Sequence, residues 1–141
     1  LESLLAEAKE NPRLRQNFDL RTSFADTSQR MLNALQPQTE VPIHQHEKTA
    51  ETVICLVGKL EEIIYEEVNE YVHEATSCCD DVIRQKNFKE VSRQILSPAE
   101  GKFGIQIPAG AWHTINVIEP SVIFEAKDGA YNEYGNTTDK E

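Results

Sequence analysis

Apolar residues recur at two different spacings along this chain. In "LESLLAEAK", Leu1, Leu4, Leu5 and Ala8 fall on one face of a helix, and Asn11-Pro12 closes the pattern. The next stretch, "RLRQNFDLRTSFADTSQRMLNAL", is polar with apolar punctuation. Its last part, Arg30 to Leu35, reads as a strand because "QPQTEVP" then supplies a turn. From Val41 onward short β-type runs take over: "TVICLVG", "EEIIY", "VSRQIL", "FGIQIP", "WHTINVI" and "SVIFEAK", rich in Val, Ile and aromatics and separated by turn residues. That rhythm predicts an all-β sandwich or barrel rather than a set of βαβ units. One stretch interrupts it. In "EEVNEYVHEATSCCDDVIRQKNFKE", Val68, Tyr71, Val72 and Ala75 stand at helical spacing, which predicts a partly helical insertion around 66–90. The closing "DGAYNEYGNTTDKE" is polar and predicts a fraying tail.

A chain of 141 residues is one domain of ordinary size, long enough to build a core without disulfide or metal staples. With 14 basic and 24 acidic residues the net charge is −10, which argues against nucleic acid as a partner. No apolar run reaches the roughly 18 residues of a membrane span. The acids within the first helical pattern argue against a signal peptide, so the chain reads as cytoplasmic. It opens on Leu rather than Met, so a few residues are expected to precede it. The three cysteines include the adjacent Cys78 and Cys79 and form no C-x-x-C, which reads as free thiols in a reducing compartment.

The chemistry concentrates in "VPIHQHEKTAETVICLVGKL". On a strand, His44 and His46 share a face roughly 6.6 Å apart, close enough to converge on one ion with bonds of about 2.0–2.1 Å. Glu51 lies at an odd offset from His46, so it joins them only if "EKTA" bends the chain. Beyond the bend Glu51, Val53, Cys55 and Val57 share one face and Thr52, Ile54 and Leu56 the other. Both faces are largely apolar, which predicts a strand buried on two sides. Taken alone, H-x-H is a weak signal. "IPAGAWHTI" strengthens it, because His113 follows a Pro108-x-Gly110 turn and shares a face with Ile115 and Val117, while Trp112, Thr114 and Asn116 face away. Of the four histidines only His73 lies outside these two motifs, and it reads as a surface residue of the insertion.

His44-x-His46, four residues, Glu51, six residues, Gly58, then Pro108-x-Gly110-x-x-His113 together resemble the paired motifs of the cupin superfamily. The resemblance implies an all-β double-stranded β-helix, or jelly-roll barrel, carrying one metal ion on His44, His46, Glu51 and His113. Two positions depart from the family pattern: Gln38 stands where a glycine is usual, and Asn116 comes one residue early. The flanks "NPRLRQNF", "QRMLNALQP" and "FEAKDGAY" are similar to the WbuC-type cupin metalloproteins, whose genes accompany bacterial surface-polysaccharide synthesis. That likeness covers roughly Leu1–Tyr65 and Val91–Tyr131. The implied organisation is an N-terminal helix and flanking segment at 1–36 packed on a barrel at 37–131, with a polar tail at 132–141. Barrels of this type often pair, so a homodimer is expected.

Three imidazoles and one carboxylate leave coordination positions open, which marks a reactive site, and with no sulfur donor Fe, Mn, Ni, Co and Zn all qualify. Glu125 and Lys127 share one face of the last β-type run. They read either as an acid–base group and a substrate-binding group in the cavity, or as an exposed, salt-bridged strand face. Arg30, with Arg13, Arg15 and Arg21, reads either as an anion seat or as ordinary surface pairing. Tyr131 either covers the barrel mouth over a substrate or packs, and Cys55 reads as core. The leading reading is a metal-dependent enzyme acting on a small polar substrate such as a sugar derivative. The alternatives are a non-catalytic, metal-containing carbohydrate-binding or sensing domain and a barrel whose metal only ties strands together.

Overall fold

The chain folds around two long strands that each serve two sheets. The computed structural model describes residues 1–75, 80–129 and 137–138. Helix α1 (Glu2–Glu10) precedes β1 (Arg15–Asp19), β2 (Ser28–Leu35), β3 (His44–Gln45), β4 (Glu51–Ala75), β5 (Asp80–Leu96), β6 (Gly104–Ile107), β7 (Trp112–Asp128) and β8 (Thr137–Thr138). The first half of β4 pairs with β6 and with the second half of β7, which pairs with β2 and through it with β1. The second half of β4 pairs with β5 and with the first half of β7, which meets β3 and through it β8. Two antiparallel sheets result, face to face, an all-β jelly roll whose strands run on where the sequence pattern suggested breaks.

Strands β4 and β7 cross from sheet to sheet at the same corner. Gly58 stands there with φ +96, and a β-carbon on it would lie 2.3 Å from the Pro120 carbonyl oxygen and 2.7 Å from Ser121 Cα. The close approach admits only glycine. Ser121 Oγ accepts from Lys59 N (3.0 Å) and so ties the corner shut. Between the sheets lies a core of Leu35, Val53, Cys55, Leu60, Leu96, Ile107, Val117 and Ile123. Helix α1 seals one sheet from outside through Leu4 and Ala8 on Ala34 and Val122.

Several sequence expectations are corrected here. The stretch around 66–90 is not helical. Its described backbone continues β4 into a hairpin with β5, in register from Glu66↔Lys89 to Ala75↔Asp80. Its Val, Ile and Tyr are weak helix formers, and an existing strand edge extends more readily than a new helix nucleates. Tyr65, Phe88 and Trp112 pack as neighbouring rings, 6.5 and 5.0 Å between centroids, at the root of this arm. The arm's tip, with Cys78 and Cys79, lies outside the described residues, as do Tyr131 and all of the tail but Thr137–Thr138. The run after Glu51 is buried on one face: Val53 and Cys55 point inward while Leu56 is exposed, because an antiparallel sheet keeps one face in solvent, and the register shift after Cys55 leaves Val57 exposed as well. Strand β2 is a full barrel strand against β7, so the barrel takes in residues before 37. Among the described residues no helix is long and apolar enough to cross a membrane, which says nothing of strands.

Candidate metal centre

Strand β3 ends at Gln45, the chain bends at Glu47–Lys48, and β4 begins at Glu51. The bend that the parity of Glu51 required is therefore present, and Glu51 faces inward with the histidines. The other motif approaches from the next strand. Pro108 to Ala111 form a turn closed by Ala111 N donating to the Pro108 carbonyl (3.1 Å), with Gly110 at φ +80. Gly110 N donates to the His46 carbonyl (2.7 Å), joining the two motifs through the backbone. His113 lies directly across from His44.

The ligand atoms of His44, His46 and His113 all lie within 4.8 Å of one another. Each of two rings is oriented by its own backbone: His44 Nδ1 lies 2.9 Å from the Pro42 carbonyl and His113 Nδ1 2.9 Å from the Ala111 carbonyl. A carbonyl only accepts, so Nδ1 carries the hydrogen and the Nε2 lone pair points into the cluster. His113 Nε2 is buried without a partner. His46 Nε2 lies 2.7 Å from Glu51 Oε2, yet it too has no aligned hydrogen bond. At that separation both atoms can serve one cation.

The charge states suit a cation. Burial and the neighbouring His113 push His44 down to about 4, and burial holds His113 below the ordinary imidazole range. Both rings are therefore neutral at pH 7. Burial alone would raise Glu51, but the close approach of His46 and the surrounding imidazoles outweigh it and keep the carboxylate ionised. Neutral imidazoles, one anion and orphaned inward lone pairs fit a divalent transition metal.

The inner face extends the site. Lys127 pairs across from Glu51, Glu125 from Val53 and Ile123 from Cys55, while on the far side Gln29, Met31 and Asn33 pair with Lys127, Glu125 and Ile123. Glu125 and Lys127 are thus half-buried inside the barrel, not on an exposed face. Burial and the charge of Glu51 push Glu125 up to about 8, against a hydrogen bond from Asn33. Burial lowers Lys127, whose Nζ donates to the Gly129 carbonyl (3.3 Å). Arg30 is a correction: strand alternation puts it on the outer face, exposed and paired with Asp26 (3.1 Å). Arg21 pairs with Asp19 (2.8 Å) and Arg15 donates to the Glu40 carbonyl (2.6 Å), so neither adds to an anion seat. Cys55 belongs to the core.

One inward residue escaped the sequence reading. Glu62 is 1% exposed, neither carboxyl oxygen has a partner, and it faces inward between Leu60 and Ile64, opposite Ile115. Burial, with Glu51 and Glu125 nearby, holds it protonated well above the usual carboxylate range. Its signal was alternation from Leu60, masked by the Glu61-Glu62 pair that reads as surface.

A two-sheet antiparallel barrel enclosing this cluster is a cupin fold with a candidate metal site. The chain belongs to the family described as "Domain of unknown function (DUF6016)", which matches residues 1–76. No curated protein matches it. Among solved structures it is similar to TT1209 from Thermus thermophilus (TM-score 0.53, 18% identity, covering 86% of this chain and 89% of that one). It is similar also to E. coli YcfD (0.52, 17%, 93% and 30%). A third is oxalate decarboxylase of Bacillus subtilis, described with Mn(II) centres (0.51, 14%, 88% and 27%). The chain thus spans under a third of the last two, and at these identities the likeness is one of fold.

Proposed function

We propose that the barrel is a metal-dependent enzyme that holds one divalent transition-metal ion on His44, His46, Glu51 and His113 and acts on a small polar substrate. The observation that carries this reading is the convergence of buried, partnerless Nε2 atoms beside an ionised carboxylate. When bound, such an ion supplies Lewis-acid polarisation of a substrate oxygen. The protein's own groups do the rest. The carbonyls of Pro42 and Ala111 hold two rings in the ligating tautomer. Val53 and Ile107, paired beside Glu125 and Glu51, wall the site with apolar surface and exclude bulk water. Glu125, protonated around neutral pH and on the inner face next to the Glu51↔Lys127 pair, gives or takes the proton.

Manganese is supported by the Mn(II) centres named for one neighbour, with Fe, Ni, Co and Zn equally compatible with the donors. The substrate reading, a sugar derivative of surface-polysaccharide synthesis, is supported by the flanks that resemble WbuC-type cupins. A non-catalytic carbohydrate-binding domain is the second reading, and Glu125 favours the enzyme over it. Elemental analysis tests the site: the purified protein is expected to hold one metal per chain, and His44→Ala with His113→Ala to remove most of it while circular dichroism still reports a folded barrel. Stoichiometric metal in the folded double variant would defeat the assignment.

A further inference from the structure

The buried oxygen atoms left over by the metal site have a common polarity. Among the described residues, the buried side-chain polar atoms without a partner are His46 Nε2, His113 Nε2, Gln29 Oε1, Asn33 Oδ1 and both oxygens of Glu62. The two nitrogens belong to the ligand cluster. Everything else is oxygen, and every one of these side chains sits on the inner face. Gln29 pairs with Lys127 and Asn33 with Ile123 on one sheet, while Glu62 pairs with Ile115 on the other, two positions from the Ile64↔His113 pair. Strand alternation and a diagonal spacing of about 7–8 Å place Glu62 beside the histidine row.

Asn33 bonds the Glu125 carboxyl through its side chain, and its Oδ1 is still left buried without a partner. An unmade hydrogen bond at a buried acceptor costs about 1–3 kcal/mol, so several on the barrel's inner face mark atoms kept for something that enters it. Glu62 is the extreme case, 1% exposed and with no partner at either oxygen. Whatever its protonation state, it retains an acceptor.

We propose that Gln29, Asn33 and Glu62 form a hydrogen-bonding floor beside the metal site, and that it takes a small uncharged polyhydroxy compound whose hydroxyls donate to these oxygens. A carboxylate ligand has no donors. It would leave Gln29 Oε1 and Asn33 Oδ1 unpaired and set its charge against the ionised Glu51. The inference rests on the metal-site reading for the position of the ligand and adds which face of it the protein grips. It makes Glu62 a binding residue.

The test uses the full chain after metal analysis, titrated calorimetrically with erythritol and D-xylose as uncharged polyols and with oxalate as the acceptor-only probe. Wild type is expected to bind a polyol, and Glu62→Leu to bind it about ten-fold more weakly, the loss of one such bond. Glu62→Leu is also expected to keep its metal and to melt higher than wild type, since it removes a buried unpaired carboxyl. Glu62→Gln, nearly isosteric, covers the case in which leucine does not fit, and is expected to weaken the polyol less than leucine does. Unchanged polyol binding in folded Glu62→Leu overturns the proposal, since water then satisfies these oxygens. So does wild type binding oxalate but no polyol, or neither at tens of millimolar. Polyol binding by a protein without metal would uphold the floor and overturn the metal reading, so the two fail separately.

Discussion

Strands β4 and β7 line both ends of the barrel interior, and the two ends obey opposite rules. At one end Leu60, Val117 and Ile123 close on Leu35 and Leu96, all apolar and almost all fully buried. A few residues along the same strands, the inner face carries Glu51, Glu62, His113, Glu125 and Lys127. The apolar end derives its stability from area removed from water and from dense contact. The polar end gives stability away, since neutralised carboxyls and unpaired acceptors are worse in the folded state than in water. A fold carries such an end only where the other end is strong enough to hold it, and sites for chemistry are where sequences make that trade.

The comparison is broken most severely at the apolar end. Leu60→Ala removes a fully buried side chain from between the sheets, and a loss of about 3–4 kcal/mol is expected in urea unfolding. A loss under about 1 kcal/mol would mean that the sheets collapse onto the gap and that this end is not the anchor.

The polar end is sharpened by pH. Glu62 and Glu125 have raised folded values, so between the unfolded value near 4.5 and the folded one the native state binds the extra protons, and stability falls as pH rises. His44 and His113 are lowered, so they act in the opposite sense, but only below their unfolded value of 6.5. From pH 6.5 to 8, therefore, the carboxyls act alone. Metal-free protein is expected to lose roughly 1–2 kcal/mol over that window through Glu125, with Glu62 acting in the same direction. The decline should flatten in the Glu62→Gln, Glu125→Gln double variant, with urea midpoints as the measure. A flat profile in the metal-free wild type would mean the chamber hydrates these groups.

The two ends also differ in how far the sequence exposes them. Both histidine motifs were legible because their chemistry is local: H-x-H fixes a shared face, the parity of Glu51 demands the bend at Glu47–Lys48, and Pro108-x-Gly110 fixes the turn before His113. Glu62 was not legible, because its inward phase depends on the register shifts that β4 makes between Cys55 and Leu60 as it rounds the Gly58 corner. A single-residue shift there would have turned Glu61 inward instead. Arg30 failed for the same reason, one residue off the inward phase of Gln29 and Met31. The arm beyond Tyr65 failed because 68, 71, 72 and 75 satisfy a helical period, and only pairing with β5 decides between helix and strand.

Gln38 gives the smallest and most local test of how strictly this barrel needs the cupin motif pattern that it resembles. It stands where a glycine is usual, and its backbone is indeed left-handed, at φ +75. Gln36 and Thr39 close the turn around it, Thr39 N donating to the Gln36 carbonyl (3.1 Å), with Pro37 before the strained position. A non-glycine residue in this region costs about 1–2 kcal/mol, and glycine gives back about 0.5–1 through the freedom of the unfolded chain. Gln38→Gly is therefore expected to stabilise the protein by about 0.5 kcal/mol, seen as a small rise in urea midpoint with unchanged slope and unchanged metal content. The turn leads directly into His44 and His46. A gain in stability accompanied by a loss of metal would show that the strain at Gln38 is what aims that strand, and the departure from the pattern would then belong to the site rather than to the scaffold.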